Sequence, residues 1–144
     1  MKKILLIPAM LFSFAACNVE HSDASTGNNT ETNNTITPKV TILLPTDFKQ
    51  QIETNPKAQL IDVRTPGEFN AGHLQGATNV NIGDADFMDK MAKLDKTQPI
   101  FVYCAVGGRS ANAADKLAAA GFTDVYDLKG GITRWTNEGL TVVK

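Results

Sequence analysis

Chemistry in this chain concentrates in one stretch, Cys104-Ala105-Val106-Gly107-Gly108-Arg109. An apolar run, Ile100-Phe101-Val102-Tyr103, leads into it, and a small-residue helical pattern starting near Ser110 leads out. The order is that of a strand, a tight loop opening with a cysteine, and a helix N-terminus. Such a loop aims backbone N–H groups and the positive end of a helix dipole at the sulfur. Those surroundings favour thiolate over thiol and pull a cysteine pKa from ~8.5 into the range of roughly 3.5–7.5. Cys104 is therefore the candidate nucleophile. The competing reading is a small buried residue that ends a strand, a common fate of free cysteine.

Composition narrows the field. The chain has 144 residues, 42% hydrophobic and 20% charged, with a net charge of -1. That is room for one domain and appendages, and the percentages are ordinary for a globular protein. From Val40 onward there are 11 basic and 12 acidic residues. This near-neutral balance lacks the basic stripe of a nucleic-acid binder, so no nucleic-acid partner is expected. Cys17 and Cys104 are the only cysteines, which excludes a disulfide framework. His21 and His73 are far apart, and no His/Cys cluster has metal-ligand spacing, so neither a metal nor another cofactor is expected.

The first residues read as an address. Met1-Lys2-Lys3 is basic, Ile4 to Phe14 is apolar apart from Pro8 and Ser13, and Ala15-Ala16 are small. This is the order of a secretory signal, expected over residues 1–16. The run is short of the ~20 residues that a membrane-spanning helix needs. Phe14-Ala15-Ala16-Cys17 resembles a bacterial lipobox, with Phe14 where Leu is usual. That resemblance implies that Cys17 carries lipid and becomes the mature N-terminus. It places the protein in the bacterial cell envelope, anchored to a membrane and facing the periplasm or the surface. Residues 17–39 are rich in Asn, Thr and Ser without apolar periodicity, the composition of a flexible tether.

Residues 40–144 must position the loop, and they alternate strand and helix patterns. Strands are expected at Val40–Leu44, Gln59–Val63, Asn79–Ile82, Ile100–Tyr103 and Val125–Leu128. Helices are expected from a Thr46 cap with Phe48 and Ile52 on one face, over Asp84–Leu94 with an Asp89–Lys93 pair, over Ser110–Ala120, and around Ile132 and Trp135. The unbroken apolar Ile100–Tyr103 suits a strand buried on both faces of a parallel sheet. The expected fold is thus α/β, a mainly parallel sheet with helices on both faces. Ligands on such folds bind beyond the carboxyl ends of the strands, where Cys104 falls.

Two groups of motifs resemble the rhodanese-homology family of sulfurtransferases. One is Ile61-Asp62-Val63-Arg64 with Pro66-Gly67-Glu68-Phe69 and Gly72-His73-Leu74-Gln75-Gly76-Ala77. The other is Tyr103 to Ser110, followed by Gly121-Phe122 and Leu128-Lys129-Gly130-Gly131-Ile132-Thr133-Arg134-Trp135. The resemblance implies a single rhodanese-like domain and two-step sulfur transfer. The Cys104 thiolate takes sulfur from a small sulfane donor, and an external thiol or cyanide then removes it. Backbone N–H groups of Ala105, Val106, Gly107, Gly108 and Arg109 can cradle the thiolate or persulfide. Gly107 and Gly108 let the backbone curl, and Arg109 offers a fixed charge to an anionic donor such as thiosulfate.

Many catalytic members of that family carry a basic residue after the cysteine, where this chain has Ala105. Weaker use of thiosulfate, and a preference for persulfide or polysulfide donors, follows as an expectation. The first motif group reads as support: Asp62 bracing the loop or pairing with a cation, Arg64 and Glu68 paired across a turn, and His73 as a hydrogen-bonded structural residue. No second cysteine in the domain can take up the persulfide.

Two other functions compete. Phosphatases and arsenate reductases of the same fold use a cysteine loop closed by arginine, but with one more residue than the four between Cys104 and Arg109, and commonly with His where this chain has Tyr103. A non-catalytic sulfur-sensing or protein-interaction module is the second alternative. Retention of both Cys104 and Arg109 favours the enzyme.

Overall fold

The computed structural model describes residues 38–144. The expected signal segment, Cys17 and all but the end of the tether lie outside the described residues. Lys39, the last residue of the expected tether, is the first of β1. No helix of the described residues is long and apolar enough to cross a membrane.

Five strands form one sheet: β1 (Lys39–Leu43), β2 (Gln59–Asp62), β3 (Thr78–Asn79), β4 (Ile100–Tyr103) and β5 (Asp124–Leu128), in the order β1-β5-β4-β2-β3. Every pairing is parallel. β4 is the middle strand, and all four of its residues are buried. Alternation along β4 divides the core. Ile100, Val102 and Cys104 face one layer with Val63, Phe87, Met91, Ala113, Ala114 and Leu117. Phe101 and Tyr103 face the other with Phe48, Leu74, Ile132 and Trp135. Phe101 stacks on Tyr126 at 4.6 Å and meets Phe48 edge-on at 5.3 Å.

The helices are α1 (Pro45–Thr54), α2 (Pro66–Ala71), α3 (Phe87–Met91), α4 (Gly108–Ala119) and α5 (Gly131–Asn137). α3 and α4 cover the first face, and α1 and α5 the second. The small side chains of Ala113 and Ala114 let α4 lie against the sheet, where both are fully buried.

Several boundaries differ from expectation for local reasons. α1 begins at Pro45, whose fixed φ suits a first helical position, so Leu44 rather than Thr46 is the N-cap. Asp84–Leu94 is helical only over α3. Before it, Asn81 bonds the Gly83 N–H and the Asp84 carboxylate, at 3.0 and 2.8 Å, which holds a turn. Lys90 rather than Lys93 makes the ion pairs there, with Asp84 and Asp86. β3 stops at Asn79, whose amide donates to the carbonyls of Asp62 and Arg64. α2 replaces an expected turn. Its capping box joins the Thr65 and Glu68 side chains to each other's backbone N–H, and Pro66 stands in its first turn.

Candidate active site

Cys104 directly follows β4, at the carboxyl end of the middle strand and 1% exposed. The chain turns immediately into α4, which starts at Gly108, two residues before the expected start. Gly107 is the N-cap and adopts a left-handed φ of 107°. The Gly107 N–H then donates to Cys104 Sγ at 3.1 Å.

The loop is held from behind by α5. The Ile132 N–H donates to the Cys104 carbonyl oxygen at 2.9 Å, and the Thr133 N–H to that of Ala105 at 3.0 Å. These are N-terminal donors that a helix otherwise leaves unpaired. With the carbonyls fixed on α5, the loop's N–H groups are left for the sulfur. Gly131 makes this close approach possible: its φ is +60°, and a Cβ there would strike the carbonyl oxygens of Cys104 and Ala105. Val106, at the crest of the loop, is 69% exposed.

Burial pushes the Cys104 thiol up. The polar groups of Ser110 and the N–H groups of Gly107 and Val106 outweigh it, and the thiol is held below its ordinary value. Of the expected cradle, Val106 and Gly107 act on the sulfur, joined by Ser110, which was expected only as a helix start. Ser110 is fully buried, and its Oγ donates to the Gly107 carbonyl oxygen at 3.1 Å. A serine in the first turn after a glycine pair was the available signal.

Arg109 closes the loop, and both its Nη atoms donate to Glu68, at 2.9 and 2.6 Å. The pair is part-exposed, with 37% and 35% of the two side chains accessible. The Arg109 bond holds Glu68 at a pKa of about 2, and Glu68 raises Arg109 in return. The expected Arg64–Glu68 pair is therefore replaced. Arg64 turns inward to Asp62, with Nε at 3.0 Å from both carboxylate oxygens and Nη2 at 2.6 Å from one. Nη2 also donates to the Gly72 carbonyl oxygen at 2.7 Å. Burial works against the Arg64 charge, but the bond to Asp62 outweighs it and its pKa rises. The Arg64 guanidinium lies 5.7 Å from the Tyr103 ring centroid. The Tyr103 hydroxyl in turn accepts from the Leu74 N–H at 3.1 Å. Asp62 is thus paired with the Arg64 cation, which reaches over the Tyr103 ring of β4.

His73 is held by hydrogen bonds and by stacking. Its Nδ1 bonds the Phe69 carbonyl oxygen at 3.1 Å, its ring stacks on Phe69 at 3.7 Å, and its backbone exchanges two 2.8 Å hydrogen bonds with Val143. Asp127, on β5, is marked by no motif in the sequence. It is 4% exposed, and its Oδ1 has no hydrogen-bond partner among the described residues.

A middle parallel strand that delivers a cysteine into a tight loop whose Gly107 N–H donates to its sulfur, backed by a second helix N-terminus, defines the class. The chain belongs to the rhodanese-like domain family, whose pattern matches residues 44–138. The uncharacterised Bacillus subtilis protein YqhL is 43% identical over 79 residues, 55% of this chain and 61% of that one. The chain thus spans less than two thirds of that relative. The thiosulfate sulfurtransferase GlpE of Shewanella oneidensis is 36% identical over 85 residues, 59% of this chain and 82% of that one. Among solved structures, the polysulfide-sulfur transferase of Wolinella succinogenes superposes with a TM-score of 0.62 at 30% identity, covering 72% of this chain and 78% of that one.

Proposed function

We propose that this protein is a sulfurtransferase that carries sulfane sulfur as a persulfide on Cys104. The observation that carries the reading is the cysteine's surroundings: the buried Sγ receives the Gly107 N–H at 3.1 Å in the loop that opens α4, and its thiol is shifted down. A persulfide is an anion with its charge on the outer sulfur, and a ring of N–H donors suits it without any fixed cation.

The reaction needs no external oxidant or reductant. The Cys104 thiolate attacks the terminal sulfur of the donor. A new S–S bond forms, the donor's S–S bond breaks, and the electron pair leaves with the rest of the donor, sulfite in the case of thiosulfate. Cyanide or a thiolate then attacks the outer sulfur, and the Cys104 thiolate departs as leaving group.

Donor preference follows from charge. Ala105 supplies no cation, and Arg109 is already engaged by Glu68. A dianion such as thiosulfate gains little at this mouth, so the favoured donors are persulfides and polysulfides. The thiosulfate and polysulfide activities in the names of GlpE and the Wolinella protein bracket this choice.

The lipobox-like Phe14-Ala15-Ala16-Cys17 supports a further part of the proposal, a lipid anchor at the cell envelope. Labelling with a fatty acid analogue should mark the wild type and not Cys17→Ala. Catalysis is tested by polysulfide-to-cyanide transfer, read as thiocyanate. Wild type should turn over and Cys104→Ser should not. Equal rates in the two proteins would remove the enzyme reading and favour a binding module.

A further inference from the structure

β5 runs between β1 and β4, and strand alternation puts Asp127 on the same face as Val125, in the core layer beneath α4. Asp127 is 4% exposed, and its Oδ1 has no hydrogen-bond partner among the described residues. Its register partners are Ile42 on β1 and Val102 on β4, both apolar. Val102 is fully buried, whereas Ile42 is 61% exposed. The cover given by α4 therefore ends at β5 and leaves the same face of the edge strand β1 open.

The space so left is a cleft of about 440 Å³. Ile42, Leu44 and Ala111 supply aliphatic walls, and Gly107 borders it from the cysteine loop. Asp127 is the one acid that lines it, and the exposed Lys129 is the one base. Aliphatic walls with a few placed polar groups, at this volume, suit a small molecule. An unpartnered buried carboxyl oxygen is costly when charged. Burial raises Asp127 to about 6, and Asp115 on α4 adds a like charge, so at neutral pH the group is ionised with Oδ1 still unpartnered. A ligand ammonium brings the missing hydrogen-bond donor and the missing counter-charge together.

We propose that this cleft binds a small aliphatic α-amino acid, with its ammonium on Asp127, its carboxylate on Lys129 and its side chain against Ile42, Leu44 and Ala111. The charges and walls select this class. A neutral aliphatic molecule would leave Asp127 unpaired, and a simple carboxylic acid would set a second negative charge beside it. An amine without a carboxylate would leave Lys129 unused. Cys104 does not line the cleft, which shares with the cysteine loop the single residue Gly107. The site is therefore distinct from the sulfur and does not depend on the reaction there.

The test titrates the isotope-labelled full chain and reads backbone amide shifts by NMR. The probes are leucine, isoamylamine, which is leucine without its carboxylate, and isocaproate, which is leucine without its ammonium. Leucine should move the amides of Gly107, Ala111, Lys129 and Gly130, with a Kd of about 1 mM or tighter. Isoamylamine should bind about threefold more weakly, and isocaproate should leave these amides unmoved. Asp127→Asn should weaken leucine binding about tenfold or more. Lys129→Gln should reduce leucine to the affinity of isoamylamine. No shift with leucine, or equal affinity for leucine and either of the two part-molecules, would overturn the proposal even if a variant fails to fold. So would an Asp127→Asn protein that binds leucine as the wild type does. No sulfur donor enters these titrations, so their outcome is separate from that of transfer at Cys104.

Discussion

Arg109 and Glu68 form a two-pronged ion pair, at 2.9 and 2.6 Å, that ties the first turn of α4 to α2 across the mouth of the cysteine loop. The cation that closes the loop thus arrives with its counter-charge. Glu68→Gln frees that cation and should lower the KM for thiosulfate about fivefold, the equivalent of about 1 kcal/mol. Ala105→Arg should act in the same direction. Steady-state kinetics with thiosulfate decide this, and an unchanged KM in both variants would show that donor charge is not read at the mouth.

Two carboxylates should give opposite pH dependences of stability. Glu68 is held at about 2, below the ordinary 4.5, so its contribution is present above pH 4.5 and is lost as pH falls toward 2. The pair is about one-third exposed, so the contribution is at most about 1 kcal/mol. Asp127 is raised from 3.8 to about 6, so the folded state favours its protonated form. Its contribution is full below pH 3.8, and the protein loses stability as pH rises through 6. Asp127→Asn should therefore stabilise by about 1–3 kcal/mol at pH 8 and by almost nothing at pH 4. Urea midpoints at the two pH values check both signs.

Gly131→Ala should damage the site without touching the sulfur directly. The new Cβ meets the carbonyl oxygens of Cys104 and Ala105 at a φ of +60°. Strain and overpacking together predict a loss of roughly 2–4 kcal/mol. Cys104 alkylation near neutral pH should slow as well, because the loop's donors move with its carbonyls. Denaturation and alkylation of the same sample test the coupling.

Asp62 and Arg64 form a buried pair at the end of β2, with side chains 0% and 7% exposed. Asp62→Asn leaves the Arg64 charge without its counter-ion and should cost about 3–5 kcal/mol. The double variant Asp62→Leu/Arg64→Met removes both charges and should cost less than the single change. Thermal unfolding of the two variants gives the order.

Much of this was legible in the sequence because it is local. The apolar run Ile100–Tyr103 reads as a doubly buried strand, and Cys104 followed by two glycines reads as a nest for an anion. Partners chosen in three dimensions were not legible. Arg64 lies four residues from Glu68 in sequence, yet the fold turns Arg64 inward to Asp62 and brings Arg109 to Glu68 from 41 positions away. Asp127 reads as one polar residue in a strand pattern, and only the place of β5 between β1 and β4 buries it. The Thr65-to-Glu68 capping box is visible in the letters, but its short helix is not, because α2 contains no buried residue to mark a face.

Sulfur carried on Cys104 is detected by mass spectrometry of the full chain after exposure to polysulfide. The Cys104 peptide should gain the mass of one sulfur atom, cyanide should remove it, and Cys104→Ser should gain nothing at that position. A Cys104 peptide of unchanged mass under conditions where free thiols become persulfides would contradict it.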